Sequence, residues 1–80
     1  MKIPRDLSGE DLAKLLRKFG YQVVRQKGSH IRLSTEIPKE HHITIPNHAP
    51  LKIGTLSAIL SDVAEHRGLL KEEVVRLLFA

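Results

Sequence analysis

The 80-residue chain contains no cysteine and no tryptophan. The first absence removes disulfides, thiolate metal sites and cysteine nucleophiles together. Aromatic residues are scarce as well, with Phe19, Tyr21 and Phe79 the full set. A core must then be assembled from Leu, Ile and Val. Three scattered aromatics also give no stacking platform for single-stranded nucleic acid. No apolar run approaches the roughly 18–20 residues of a membrane span, and the N-terminus lacks a signal-peptide core. A soluble, cytoplasmic protein with no membrane association is expected. Acidic residues are not clustered as metal ligands, so neither a metal nor another cofactor is expected.

What is present is a basic chain of ordinary hydrophobic content, with 41% apolar residues and a net charge of +4. A chain of this length is expected to form one domain over residues 1–80, burying about 60–65% of its unfolded surface. The charge is uneven. Residues 1–34 carry eight Lys/Arg against three Asp/Glu, a balance of +5, and residues 35–80 carry five against six, a balance of −1. From Lys14 to Arg32 there are six basic residues and no acidic one. Such a patch attracts phosphate backbones in a salt-dependent way. Charge alone proposes nucleic acid as a partner without establishing it.

The first helix is expected over Ser8 to Phe19. Ser8 and Asp11 have the spacing of a capping box. Leu12, Leu15, Leu16 and Phe19 form one apolar stripe, and Gly20 supplies a left-handed stop. Tyr21–Gln26 and His30–Ser34 are β-prone and flank Lys27-Gly28-Ser29, a tight hairpin. Taking Lys27-Gly28 as the two-residue turn places Arg25 opposite His30. A third strand, His42–Pro46, sends Ile43 and Ile45 to the core and His42 and Thr44 away from it. Thr55 is the expected cap of the next helix, which carries Leu56, Ile59, Leu60 and Val63 and stops at Gly68. A last helix from Lys71 presents Val74, Leu77 and Leu78. The order α-β-β-β-α-α implies an α+β fold: a three-stranded antiparallel sheet with its helices on one face.

The other face of that sheet carries the candidate chemistry. Parity puts Ile31 and Leu33 on the core side and His30 and Arg32 on the open side. Residue type and parity alone make His30 an ordinary solvent-facing strand residue. His41 and His42, being adjacent, point to opposite faces and read as surface residues rather than a metal pair. His66, near a helix C-terminus, needs only a structural explanation. Lys52 precedes a helix start, where free amides form a phosphate site; the plain alternative is a cap.

The segments "LLRKFGYQVVRQKGSHIRL" (15–33) and "HITIPNHAPLKIGTL" (42–56), with the helix that follows, resemble the HicA toxin family. The matching pieces are a helix ending in Phe-Gly-Tyr and Lys-Gly-Ser-His at the hairpin, then Ile-Pro-Asn-His leaving the third strand and Lys-Ile-Gly-Thr-Leu opening a helix. The resemblance implies a fold like that of double-stranded-RNA-binding domains. It also implies the toxin of a type II toxin–antitoxin pair, an endoribonuclease that cleaves mRNA with His30 as the catalytic residue. A HicB-type antitoxin is the implied partner, expected to lie over the His30 face. The sequence departs from the family in the loop "STEIPKEHH" and in a longer C-terminal part.

The chemistry implied is within reach of these residues. RNA carries its own nucleophile, the 2′-OH, and a histidine with the ordinary pKa of about 6.5 can act as acid or base. Arg25, Lys27 and Arg32 are placed to stabilise phosphoryl charge. Together with Gly28 and Ser29 of the turn, and Lys52, they are the expected RNA-binding set. His42, and after it His41 or His48, are candidates for a second proton-transfer group. A non-catalytic RNA-binding module using the same face is the competing expectation.

Overall fold

The computed structural model describes residues 3–80. Helix α1 spans Gly9–Leu15 and runs into a 3₁₀ turn, Leu16–Phe19. Its start is the expected reciprocal cap: Asp11 N–H donates to Ser8 Oγ at 3.0 Å, and Ser8 N–H donates to Asp11 Oδ2 at 3.3 Å. Gly20 ends it at φ 83°, in the left-handed region. Strands β1 (Gln22–Lys27), β2 (His30–Thr35) and β3 (His41–Pro46) follow, then α2 (Ile53–Arg67) and α3 (Lys71–Phe79). The sheet is antiparallel in the order β1-β2-β3. The α+β architecture expected from the sequence is therefore the one observed.

The core lies between one face of this sheet and the helices. Ile31 and Leu33 of β2 and Ile43 and Ile45 of β3 are buried against Leu12, Leu16, Leu56 and Leu60. Each of these strands has one apolar face, so one helical layer suffices to cover it. Strand β1 is different. All six of its residues are exposed, and Val23 and Val24 remain 45% and 58% accessible.

Three details differ from the sequence expectation. The hairpin turn is Gly28-Ser29, with Gly28 at φ 57°, so Lys27 faces His30 and Arg25 faces Arg32. The residue type and sign of φ are those of a turn with glycine at its first central position. The register is thus two residues from the expected one, and a two-residue shift preserves the faces. A bulge between Val23 and Arg25 then absorbs Val24. Helix α2 starts at Ile53 rather than after a Thr55 cap; Lys52 is its N-cap residue, with no side-chain cap. Leu56, fully buried, anchors the first turn, and its N–H donates to Lys52 O at 2.9 Å. In α3 the buried set is Val74, Val75 and Leu78, while Leu77 is 52% exposed. Docking against α2 selects Val75, one position from the expected stripe.

One close approach ties the helix layer to the sheet end. A Cβ added at Gly9 would fall 2.2 Å from Pro46 O and 3.1 Å from the Asn47 Cα. Gly9 N–H donates to His48 O at 3.0 Å, and Asn47 N–H donates to Ser29 O at 2.6 Å. The start of α1, the β1–β2 turn and the exit of β3 therefore meet at one point. Gly9→Ala is expected to destabilise the protein by about 1–3 kcal/mol, because backbone must move to admit the methyl group. The gain in helix propensity, about 1 kcal/mol, offsets only part of this. Thermal or urea unfolding checks it; an unchanged midpoint would contradict the contact.

Candidate RNA-facing site

Strand β2 is the middle strand, so its alternation is fixed by pairing on both edges. With Ile31 and Leu33 held in the core, His30 and Arg32 stand on the open face. Pairing of Lys27 with His30, and of Arg25 with Arg32, brings two further cations to that face. An open depression of about 450 Å³ is lined by Arg25, Lys27, His30, Arg32 and Thr44. Arg32 Nη1 donates to Thr44 Oγ1 at 3.5 Å, a long contact that still orients the guanidinium. Depressions of similar volume lie elsewhere on the surface. What sets this one apart is three cations around one imidazole.

Four of the expected residues, Arg25, Lys27, His30 and Arg32, are therefore brought together. Gly28 and Ser29 form the adjacent turn. Lys52 is exposed at the start of α2 and does not line the depression. Thr44 is the one wall residue missing from the expected set, although its parity had already put it on this face.

The other histidines occupy separate environments. His42 pairs with Ser34, whereas His30 pairs with Pro46. Four residues of strand thus separate His42 from the position facing His30, about 13 Å at 3.3 Å per residue. Its Nε2 lies 2.7 Å from Glu40 Oε2. His41 was expected at the surface but sits on the core side, opposite Thr35. Its Nδ1 lies 2.7 Å from the hydroxyl of fully buried Tyr21, and its Nε2 lies 3.2 Å from Asp62 Oδ1. Both ring nitrogens of His41 are thus engaged, Nδ1 by the Tyr21 hydroxyl and Nε2 by the Asp62 carboxylate. His66 stacks on His41 at 4.3 Å and donates from Nε2 to Ile37 O at 3.1 Å. Among the described residues no three His, Asp or Glu side chains converge as metal ligands. No helix there is long and apolar enough to cross a membrane.

A sheet with one packed face and one open cationic face, centred on a turn that presents a histidine, defines a class of small α+β domain. Within that class the match is specific: residues 9–64, more than half of the chain, match the family model described as HicA toxin of bacterial toxin–antitoxin. The chain belongs to the HicA toxin family. Comparison with curated proteins and with solved structures returned no match. The matched region contains the whole sheet and the Gly28-Ser29-His30 turn; α3 lies beyond it.

The Tyr21 phenol gives a direct readout of the half-buried cluster around His41. Its pKa is pushed up to about 12, chiefly by burial and further by the charge of Asp62, with Arg67 opposing. The folded state therefore keeps a proton that the unfolded chain releases near pH 10. Stability from this group is intact below about pH 10 and is lost as pH rises toward 12. Tyr21→Phe is expected to cost about 1 kcal/mol at neutral pH through the lost hydrogen bond. It is also expected to abolish this part of the alkaline loss, seen by comparing urea midpoints of both proteins at neutral and alkaline pH.

Proposed function

We propose that this chain is an mRNA-cleaving endoribonuclease toxin, with His30 transferring a proton at the scissile phosphate. The observation that carries the reading is the shared depression, in which His30 stands among Arg25, Lys27 and Arg32. Imidazole supplies proton transfer near neutral pH. Guanidinium and ammonium groups stabilise the charge that builds on the phosphoryl oxygens. No step in this chemistry requires a metal ion. Residues 1–80 act as one domain in this reading, on mRNA in the cytoplasm. Gly28 and Ser29 bring the RNA backbone close to the turn, and Lys52 adds a phosphate contact from the start of α2.

The antitoxin partner is taken to be of the HicB type and to cover the open face. Masking the cations and His30 together blocks substrate binding and chemistry in one contact. A small sheet with one open basic face suits an acidic partner surface.

A non-catalytic RNA-binding module would use the same cations, so the test must separate binding from cleavage. Purified wild type and His30→Ala are incubated with RNA in the presence of chelator. Cleavage by wild type is expected, with a loss of about 10²–10⁴-fold in the variant. Binding is expected to survive that substitution. Arg25→Ala and Arg32→Ala should each weaken binding and lower the salt slope by about one. Undiminished cleavage by His30→Ala would sink the assignment. Binding without any cleavage by wild type would favour the module.

A further inference from the structure

We infer that His48 is the second acid–base group of the His30 site, an inference that rests on the ribonuclease reading above. Cleavage by the 2′-OH involves two proton transfers. One proton leaves the 2′-oxygen as its bond to phosphorus forms, and one reaches the 5′-oxygen as its bond to phosphorus breaks. A neutral imidazole takes the first and an imidazolium gives the second. The products are a 2′,3′-cyclic phosphate and a 5′-hydroxyl, so protons and charge balance without a co-reactant. His30 alone supplies half of this apparatus.

Four histidines remain, and their surroundings separate them. His41 has both ring nitrogens engaged, by Tyr21 and Asp62, on the core side of the sheet. His66 is stacked on His41 and donates to Ile37 O. His42 lies along β3 from the residue facing His30, with its Nε2 against Glu40. His48 is exposed, and its ring has no hydrogen-bond partner among the described residues.

Position favours the same residue. Pro46 pairs directly with His30, and the Asn47 N–H to Ser29 O bond extends the contact one residue further. Strand β3 ends at Pro46, and His48 follows two residues on, just past the Asn47–Ser29 contact and at the edge of the depression rather than among its lining residues. A residue two places beyond a paired position is a diagonal neighbour, with Cα atoms about 7–8 Å apart. Imidazole side chains extending from Cα atoms that far apart have the reach to meet one phosphate from two sides. The backbone there is also fixed: His48 O accepts from Gly9 N–H at 3.0 Å, and Asn47 is held by Ser29. A side chain with a free ring on a pinned backbone is what a proton-transfer group requires.

The test uses the full chain with RNA in chelator across about pH 5 to 8, where ordinary histidines titrate. Wild type, His30→Ala, His48→Ala, His48→Gln and His42→Ala are compared. A second RNA carries sulfur in place of the bridging 5′-oxygen, a leaving group that needs no protonation. Wild type is expected to show a bell-shaped profile. Both His48 variants should lose about 10²-fold or more on ordinary RNA, lose one limb of the bell, and melt as wild type does. His42→Ala should cleave at close to the wild-type rate. Sulfur in the leaving group should restore either the His48 variants or His30→Ala, whichever lacks the acid, and not both. His48 variants that cleave normally with the bell intact would overturn the inference and leave His30 standing. A wild type that cleaves neither RNA would remove the ribonuclease reading itself.

Discussion

Everything on the open face depends on the alternation of β2. Its N–H and C=O groups are shared between β1 and β3, so it cannot slide without breaking both ladders. A slip by one residue would also expose Ile31 and Leu33, which are buried to 2% and 0% accessibility, and bury His30 and Arg32 in their place. Burying a guanidinium without a partner costs far more than a strand pairing returns. The core therefore specifies the outward direction of His30 and Arg32 even though it touches neither. The cationic face is a consequence of packing on the reverse side.

The histidines show how far one residue type can be redirected by its neighbours. His41 and His42 are adjacent, yet one is half-buried against Tyr21, Asp62 and His66 while the other faces solvent beside Glu40. This half-buried cluster connects the start of β3, the residue before β1 and the last turns of α2. It also satisfies a phenol that would otherwise be buried without a partner, a penalty of about 1–3 kcal/mol. Each stacked ring has its own partners: His66 meets Ile37 O, and His41 lies between Tyr21 and Asp62. In the function proposed above, the site draws on histidines outside this cluster.

Much of this was legible in the residues because the strongest signals were local. Ser8 and Asp11 sit one capping box apart, Gly20 and Gly68 stop their helices, and β2 and β3 alternate without exception. Local signals also located the turn around Gly28, and the faces survived a register set two residues away. What stayed hidden was decided by partners distant in sequence. Tyr21 and Asp62 reach His41 across 20 and 21 residues, and no spacing rule announces such a contact. Helix α3 buries Val75 because α2 lies beside it, and α2 begins early because Leu56 fills the core. The bulge at Val24 has the same origin: the edge strand follows the twist of β2 rather than its own pattern.

That edge strand explains why the charges lie where they do. Strand β1 offers one unpaired row of backbone groups and two exposed valines, a template on which a second copy could add. The bulge at Val24 breaks the regular row, and Arg25 and Lys27 place like charges along it. Two such edges brought together would set cation against cation. The same side chains face the depression around His30, so the charges that oppose self-pairing also make that end of the face positive. The opposite end of the face has the other sign: Glu36 and Glu40 line a depression there with Val24 and Ser34. Screening limits these fields to about 8–10 Å at physiological salt, shorter than the distance between the two ends. The positive field is thus local to the histidine end, and under the function proposed above a phosphate backbone would be drawn to the turn rather than to the loop carrying Glu36 and Glu40.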